Sequence, residues 1–237
     1  MSIDISQIEI YYDGMNIHKY GLNPIVKGFT TNCSLFSKHS NTNYMSYFND
    51  IKNIVNDRPL SFQIWEDNLD NAIKQIDNIY SINRNIFIKI PVLNSEGSLN
   101  DELIKYALQM GCSVNITCIF TFEQISSVYE IVKNYTNPMI ISVFAASISD
   151  TGVEPTQFIS NAVNTFKEMK NCKILWAGCR EVYTINSAIK TNCHIITVPD
   201  TIIDKLQLLN KNLTDYSIER IKIFKQDAQN GGLTIVS

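Results

Sequence analysis

Short apolar runs recur along this chain, and between them apolar residues return at spacings of three and four. The runs are Ile8–Tyr12, Ile25–Phe29, Leu60–Trp65, Ile86–Ile90, Val114–Phe120, Met139–Phe144, Lys173–Ala177 and His194–Val198. Most are rich in Ile, Val, Phe or Trp, as strands covered on both faces should be. The helical period marks Tyr44–Val55, Leu69–Tyr80, Leu99–Met110, Phe122–Lys133, Phe158–Met169, Val182–Lys190 and Thr201–Leu209. Thr121 and Gln124 stand at capping-box spacing, which sets the start of the helix at Phe122. A last helix covers about Tyr216–Gln229, inside residues 214–230, with Asp215 near its start and Gly231-Gly232 beyond its end. Met15–Tyr20 gives the weakest helical signal.

Eight strands alternating with helices predict a single-domain (β/α)8 TIM barrel with an extra C-terminal helix, one domain over residues 1–237. An open doubly wound sheet is the alternative. It calls for a phosphate loop after the first strand, and Asp13-Gly14-Met15-Asn16 is not GxGxxG. No linker, repeat or low-complexity block divides the chain.

Composition narrows the function. A net charge of -3 offers no footprint for nucleic acid or for an anionic membrane. Met1–Gln7 has no basic, apolar leader, and no stretch approaches the ~18 apolar residues of a membrane span, so a cytoplasmic protein is expected. Cys33, Cys112, Cys118, Cys172, Cys179 and Cys193 form no CxxC pair and read as reduced thiols. With His18, His39 and His194 as the only histidines, neither a metal centre nor a cofactor is expected.

Lys89 stands out, because it lies inside the apolar run Ile86–Pro91. A long cation is costly there unless its end reaches a wet cavity or its amine is neutral. A snorkelling strand-end lysine is the plain reading. A neutral amine that attacks a carbonyl and forms a Schiff base is the chemical one. Active sites of parallel barrels gather at the C-terminal strand ends, and polar residues collect there. Asp13 follows the first run, Thr30, Thr31 and Asn32 the second, and Arg180 the seventh; Gln63, Asn115, Thr117 and Ser142 lie within runs. Each has a structural alternative: Asp13 as a helix cap, Asn32 as a turn residue, Thr117 as a strand former, Arg180 as a rim ion pair. Gln63 is harder to set aside, since a buried amide needs partners. Together they equip a Schiff-base site. Asp13 would move the proton of a sugar hydroxyl, and Gln63 and Thr117 would hold a water at the imine carbon.

These residues resemble a known family. Gly28-Phe29-Thr30-Thr31-Asn32-Cys33-Ser34-Leu35 resembles the transaldolase segment written GxTTNPSL, and Lys89-Ile90-Pro91 its KIP. Asn115 through Thr121 resembles N-x-T-x-x-F-S/T, and Ser142-Val143-Phe144-Ala145 with Asp150 echoes SxFxGRxxD. Ile174 through Val182 resembles the strand ending in a phosphate-binding arginine, here Arg180. The resemblance implies a class I aldolase barrel with Lys89 as the Schiff base, Asp13 as acid–base, and Thr117 beside the catalytic water. It places Thr31, Asn32, Asn115, Ser142, Phe144, Arg180 and Ser147 against sugar or sugar-phosphate substrates. It also implies homo-oligomeric rings with a C-terminal helix reaching a neighbour, and a default role in the pentose phosphate pathway.

The departures matter too. Gln63 is similar to the fructose-6-phosphate aldolases, whereas Phe144 is similar to the transaldolases. Cys33 replaces a proline. Ala146-Ser147 replaces glycine-arginine, and Gly178 replaces a serine of the phosphate site. Transfer of a dihydroxyacetone unit is the leading expectation, with weakened phosphate recognition or a substrate lacking that phosphate. Reversible aldol cleavage, or a non-catalytic barrel used for binding or assembly, are the alternatives.

Overall fold

Eight parallel strands close on themselves in chain order: β1 (Glu9–Asp13), β2 (Val26–Thr30), β3 (Leu60–Gln63), β4 (Ile86–Pro91), β5 (Ser113–Ile119), β6 (Met139–Val143), β7 (Cys172–Trp176) and β8 (Ile195–Val198). β8 pairs back onto β1, so no strand edge is left open. The computed structural model describes residues 3–40 and 43–235; Met1 and Ser2, which open the segment read above for a leader, lie outside them. All eight expected strands form, with ends shifted by no more than a residue or two.

The helices are α1 (Ile17–Tyr20), α2 (Cys33–Phe36), α3 (Tyr44–Val55), α4 (Leu69–Ile82), α5 (Asp101–Gln109), α6 (Phe122–Val132), α7 (Ala145–Asp150), α8 (Thr156–Phe166), α9 (Tyr183–Lys190), α10 (Asp200–Ile203) and α11 (Leu213–Asn230). The capping box of α6 is made as expected: Gln124 N–H donates to Thr121 Oγ1 at 3.2 Å, and Thr121 N–H to Gln124 Oε1 at 3.1 Å. The helix expected at Thr201–Leu209 is corrected to α10 followed by a 3₁₀ turn at Leu206–Leu208. Ile202, Ile203 and Leu206 are buried across both pieces, so two short turns satisfy the apolar spacing that one helix was expected to satisfy. α2 and α7 were not foreseen, because segments this short show no period.

Packing holds the layers together. Ile51, Ile76, Ile104, Val128, Ile159 and Ile185, one from each long barrel helix, are fully buried against the strands. Burying such a side chain stabilises by about 1.5–3 kcal/mol, more than helix propensity supplies per residue. By contrast α11 buries none of its residues, and Ile218, Ile221 and Phe224 stay exposed. Among the described residues no helix is long and apolar enough to cross a membrane.

The barrel interior is split into two storeys. Tyr11, Ile140, Leu175 and Ile195, with Phe87 against them, fill the lower one. Gly28 makes room for this plug, because a Cβ there would lie 2.6 Å from the ring of Tyr11. The ring is buried and has nowhere to move. Gly28→Ala should therefore lower stability by about 1–3 kcal/mol, the usual cost of overpacking, as read by urea denaturation.

Candidate active site

Above the plug the interior turns polar. The strand register sets Gln63, Lys89 and Asn115 side by side on β3, β4 and β5. Residues two apart share a face, so Lys89 points inward above Phe87. It is only 6% exposed. Its Nζ donates to the Thr31 carbonyl at 3.1 Å. That carbonyl is held still, since Thr31 N–H and Oγ1 both donate to the Ser61 carbonyl, at 3.2 and 2.9 Å. Burial pulls the Lys89 amine below the ordinary lysine range; the Asp13 carboxylate opposes the shift without cancelling it.

Asp13, at the end of β1, accepts a hydrogen bond from Thr30 Oγ1 at 2.8 Å. It stands in the wall of the cavity rather than capping a helix. Opposite, Ser142 Oγ donates to Asn115 Oδ1 at 2.7 Å, and Asn115 Nδ2 donates to Ser61 Oγ at 3.0 Å. This buried chain links β6, β5 and β3. Thr117 is fully buried, and its hydroxyl approaches the Cys118 thiol without making a full hydrogen bond to any described residue. Just beyond it, the β5–β6 register shifts, and Cys118 adopts a left-handed φ of 61°. The bulge lets the consecutive residues Thr117 and Cys118 both face the cavity. The Cys118 and Cys33 thiols, pushed up by burial, are close enough to the Lys89 amine to interact with it.

These groups line a cavity of about 530 Å³ at the C-terminal end of the barrel. Of the residues singled out from sequence, Asp13, Asn32, Gln63, Lys89, Thr117, Ser142, Phe144, Ser147 and Arg180 line it. Thr31 and Asn115 do not; they stand behind the wall and hold Lys89 and Ser142 in place. Asn32 has a second task, since its Oδ1 accepts from Leu35 N–H at 2.9 Å and caps α2. Cys33 opens α2 at its first helical position, where proline is readily accepted. The replaced proline therefore changes stiffness there and not backbone direction. Sequence reasoning missed Ser61 and Thr197. Neither carries a charge or a motif, and only barrel closure shows what they support.

At the rim, α7 meets the turn after β7. Gly178 has φ 84°, and a Cβ there would lie 2.6 Å from Ala146 Cβ. Its N–H donates to Thr197 Oγ1 at 2.9 Å. The Arg180 guanidinium is ion-paired with Asp150 on α7, as the rim-pair alternative anticipated.

Comparison with known proteins agrees with this geometry. The family model described as Transaldolase/Fructose-6-phosphate aldolase matches residues 2–233. A probable transaldolase of Thermoanaerobacter sp. is 29% identical over 212 residues, covering 89% of this chain and 91% of the relative. One of Caldicellulosiruptor saccharolyticus is 28% identical over 198 residues, covering 83% and 85%. Among solved structures, the tryptophan synthase α-subunit of Pyrococcus furiosus superposes with a TM-score of 0.55 at 10% identity, over 91% of this chain and 96% of that one. That likeness shows a shared (β/α)8 fold. With an inward lysine, a carboxylate in the wall of the same cavity and a family match along nearly its whole length, this chain belongs to the transaldolase/fructose-6-phosphate aldolase family.

Proposed function

We propose that this aldolase-type enzyme moves a dihydroxyacetone unit between sugars through a Schiff base on Lys89. The observation that carries the reading is the buried, deprotonation-prone Lys89 amine at the floor of an open cavity that also holds the Asp13 carboxylate. The Nζ lone pair attacks the ketose carbonyl carbon, and the carbonyl oxygen leaves as water. The resulting iminium draws the electron pair of the neighbouring carbon–carbon bond into an enamine. Asp13 takes the proton from the sugar hydroxyl as that bond breaks, and an aldehyde departs. The enamine then attacks an acceptor aldehyde, Asp13 returns the proton, and water releases the new ketose. No step calls for a metal ion. The Thr117 hydroxyl and the Gln63 amide supply polar contacts for the water that enters and leaves at the imine carbon.

Transfer rather than simple cleavage is supported by Phe144, which lines the cavity with its ring 5.4 Å from that of Phe120. Neither ring offers a hydroxyl that could protonate the enamine before an acceptor arrives. The exposed apolar residues of α11 favour self-association, and the size and polarity of the cavity favour a small sugar as partner.

Borohydride reduction in the presence of dihydroxyacetone should leave a mass-shifted adduct at Lys89 and none in Lys89→Met. An unmodified Lys89 in folded protein would return the reading to a non-catalytic barrel. Asp13→Asn should retain the adduct while losing about a hundred- to ten-thousand-fold in turnover, the usual weight of one proton transfer. Product from a ketose donor should depend wholly on added aldose acceptor; acceptor-free turnover would mean reversible cleavage instead.

Burial also sets a pH dependence. The folded-state pKa of Lys89 is lowered. Between that value and the unfolded value near ~10.4, the unfolded chain holds a proton that the folded chain has released. Stability should therefore rise with pH across this window, and imine formation should rise as the folded amine loses its proton. Lys89→Met should remove that contribution to the slope and stabilise the protein near neutrality by about 1–3 kcal/mol, measured by urea denaturation over a pH series.

A further inference from the structure

The catalytic cavity has a neighbour. Beyond Cys33 lies a cleft of about 260 Å³, lined by Cys33, Phe36, Ser37, Tyr44 and Trp65, none of them charged. Cys33 belongs to the walls of both. Its thiol is close enough to interact with the Tyr44 hydroxyl of the cleft and with the Lys89 amine of the cavity. The cleft is aromatic. The rings of Phe36 and Tyr44 lie 4.3 Å apart, and Trp65 meets Tyr44 edge-on at 5.9 Å. Trp65 is nonetheless 57% exposed. One exposed apolar side chain is ordinary. Trp65 differs because its backbone is held: Gln75 Oε1 accepts from the N–H groups of Trp65 and Glu66, at 2.9 and 3.2 Å. The hydroxyls of the cleft are already engaged, Tyr44 donating to the Gln63 carbonyl at 2.7 Å and Ser37 to the Ser34 carbonyl at 3.1 Å.

We propose that this cleft is a side subsite for the acceptor: it seats an aromatic far end against Trp65, so that the acceptors extend beyond sugars to aldehydes bearing an aromatic ring. This rests on the Schiff-base reading of Lys89. The aldehyde carbon would lie at the Lys89 enamine, and the tail behind it would pass Cys33 into the cleft. Bond-making is unchanged. The enamine carbon bonds to the aldehyde carbon, the aldehyde oxygen takes the proton from Asp13, and water hydrolyses the iminium to free the new ketone and the lysine amine. A polyol gains little in the cleft, because a thiol is a weak donor and both hydroxyls already donate elsewhere. An aromatic ring covers the exposed indole and packs against Tyr44, a contact that adds to simple burial of area. An apolar cavity of about 150 Å³ holds a benzene ring, so the cleft has room.

The test supplies the full-length protein with fructose 6-phosphate as donor and two acceptors at equal concentration, hydrocinnamaldehyde and D-glyceraldehyde. Mass spectrometry of the two new ketones gives the ratio of their kcat/KM values. Trp65→Ala should lower the ratio of aromatic to sugar product about tenfold, equivalent to ~1.4 kcal/mol, and Trp65→Phe should restore most of it. Hydrocinnamyl alcohol, which has no carbonyl to attack, should bind the wild type and move the emission of Trp65 to the blue. Trp176, the other tryptophan, is buried and should not respond. The proposal is overturned by a wild type that makes no aromatic product, by an emission that does not move, or by a ratio unmoved in Trp65→Ala. An unmoved ratio with a changed oligomeric state would assign the indole to a contact between copies instead. If any of these results comes with an intact borohydride adduct at Lys89, the Schiff-base reading survives and only the subsite falls. Absence of the adduct overturns both.

Discussion

An amine removed from water is the constraint around which this molecule is arranged. A lysine on an inward strand position cannot snorkel through a closed barrel, because the storey beneath it is filled by Tyr11, Phe87, Ile140, Leu175 and Ile195. Its end must stop at the cavity floor. There it finds the Thr31 carbonyl and the Asp13 carboxylate across the cavity, but no bulk solvent. Desolvation disfavours the ammonium more than these neighbours favour it, so the proton is loosely held. The same burial that costs stability leaves the amine more readily neutral.

The surrounding shell is built to keep that amine in place. The doubly anchored Thr31 fixes the carbonyl that Lys89 contacts, and the Ser61–Asn115–Ser142 chain locks the neighbouring strands at the same height. These polar groups satisfy one another, which is why they can be buried at little cost. Thr117 breaks the pattern, with a buried hydroxyl that makes no full hydrogen bond to any described residue. It sits next to Cys118, whose left-handed backbone costs a non-glycine residue roughly 1–2 kcal/mol. The Thr117 hydroxyl, the neighbouring Cys118 thiol and a strained backbone thus lie side by side at the cavity floor.

The floor and the rim of the cavity are physically different environments. The residues of the floor are buried, so small changes of charge act strongly there. The rim is exposed, so the Arg180–Asp150 pair lies in a screened medium and contributes little to stability. Two substitutions relative to the wider family, Ala146 and Gly178, fit one another sterically, since the methyl group of one fills the space in which the other would carry a side chain.

Much of this was legible in the chain order. Eight β-branched and aromatic runs alternating with amphipathic stretches determined a parallel barrel, because burial on both faces and the helical period are local properties. A lysine inside one such run, with acid, amide and hydroxyl residues at the ends of others, determined where polar groups would gather. The local pattern could not show that Thr31 and Asn115 serve behind the wall, that Ser61 and Thr197 support it, or that Cys118 turns into the cavity. It left open whether Arg180 would be claimed by Asp150, thirty residues earlier in the chain. Those outcomes depend on strand register and barrel closure, which bring distant segments together, and no periodicity within one segment encodes the distance between two.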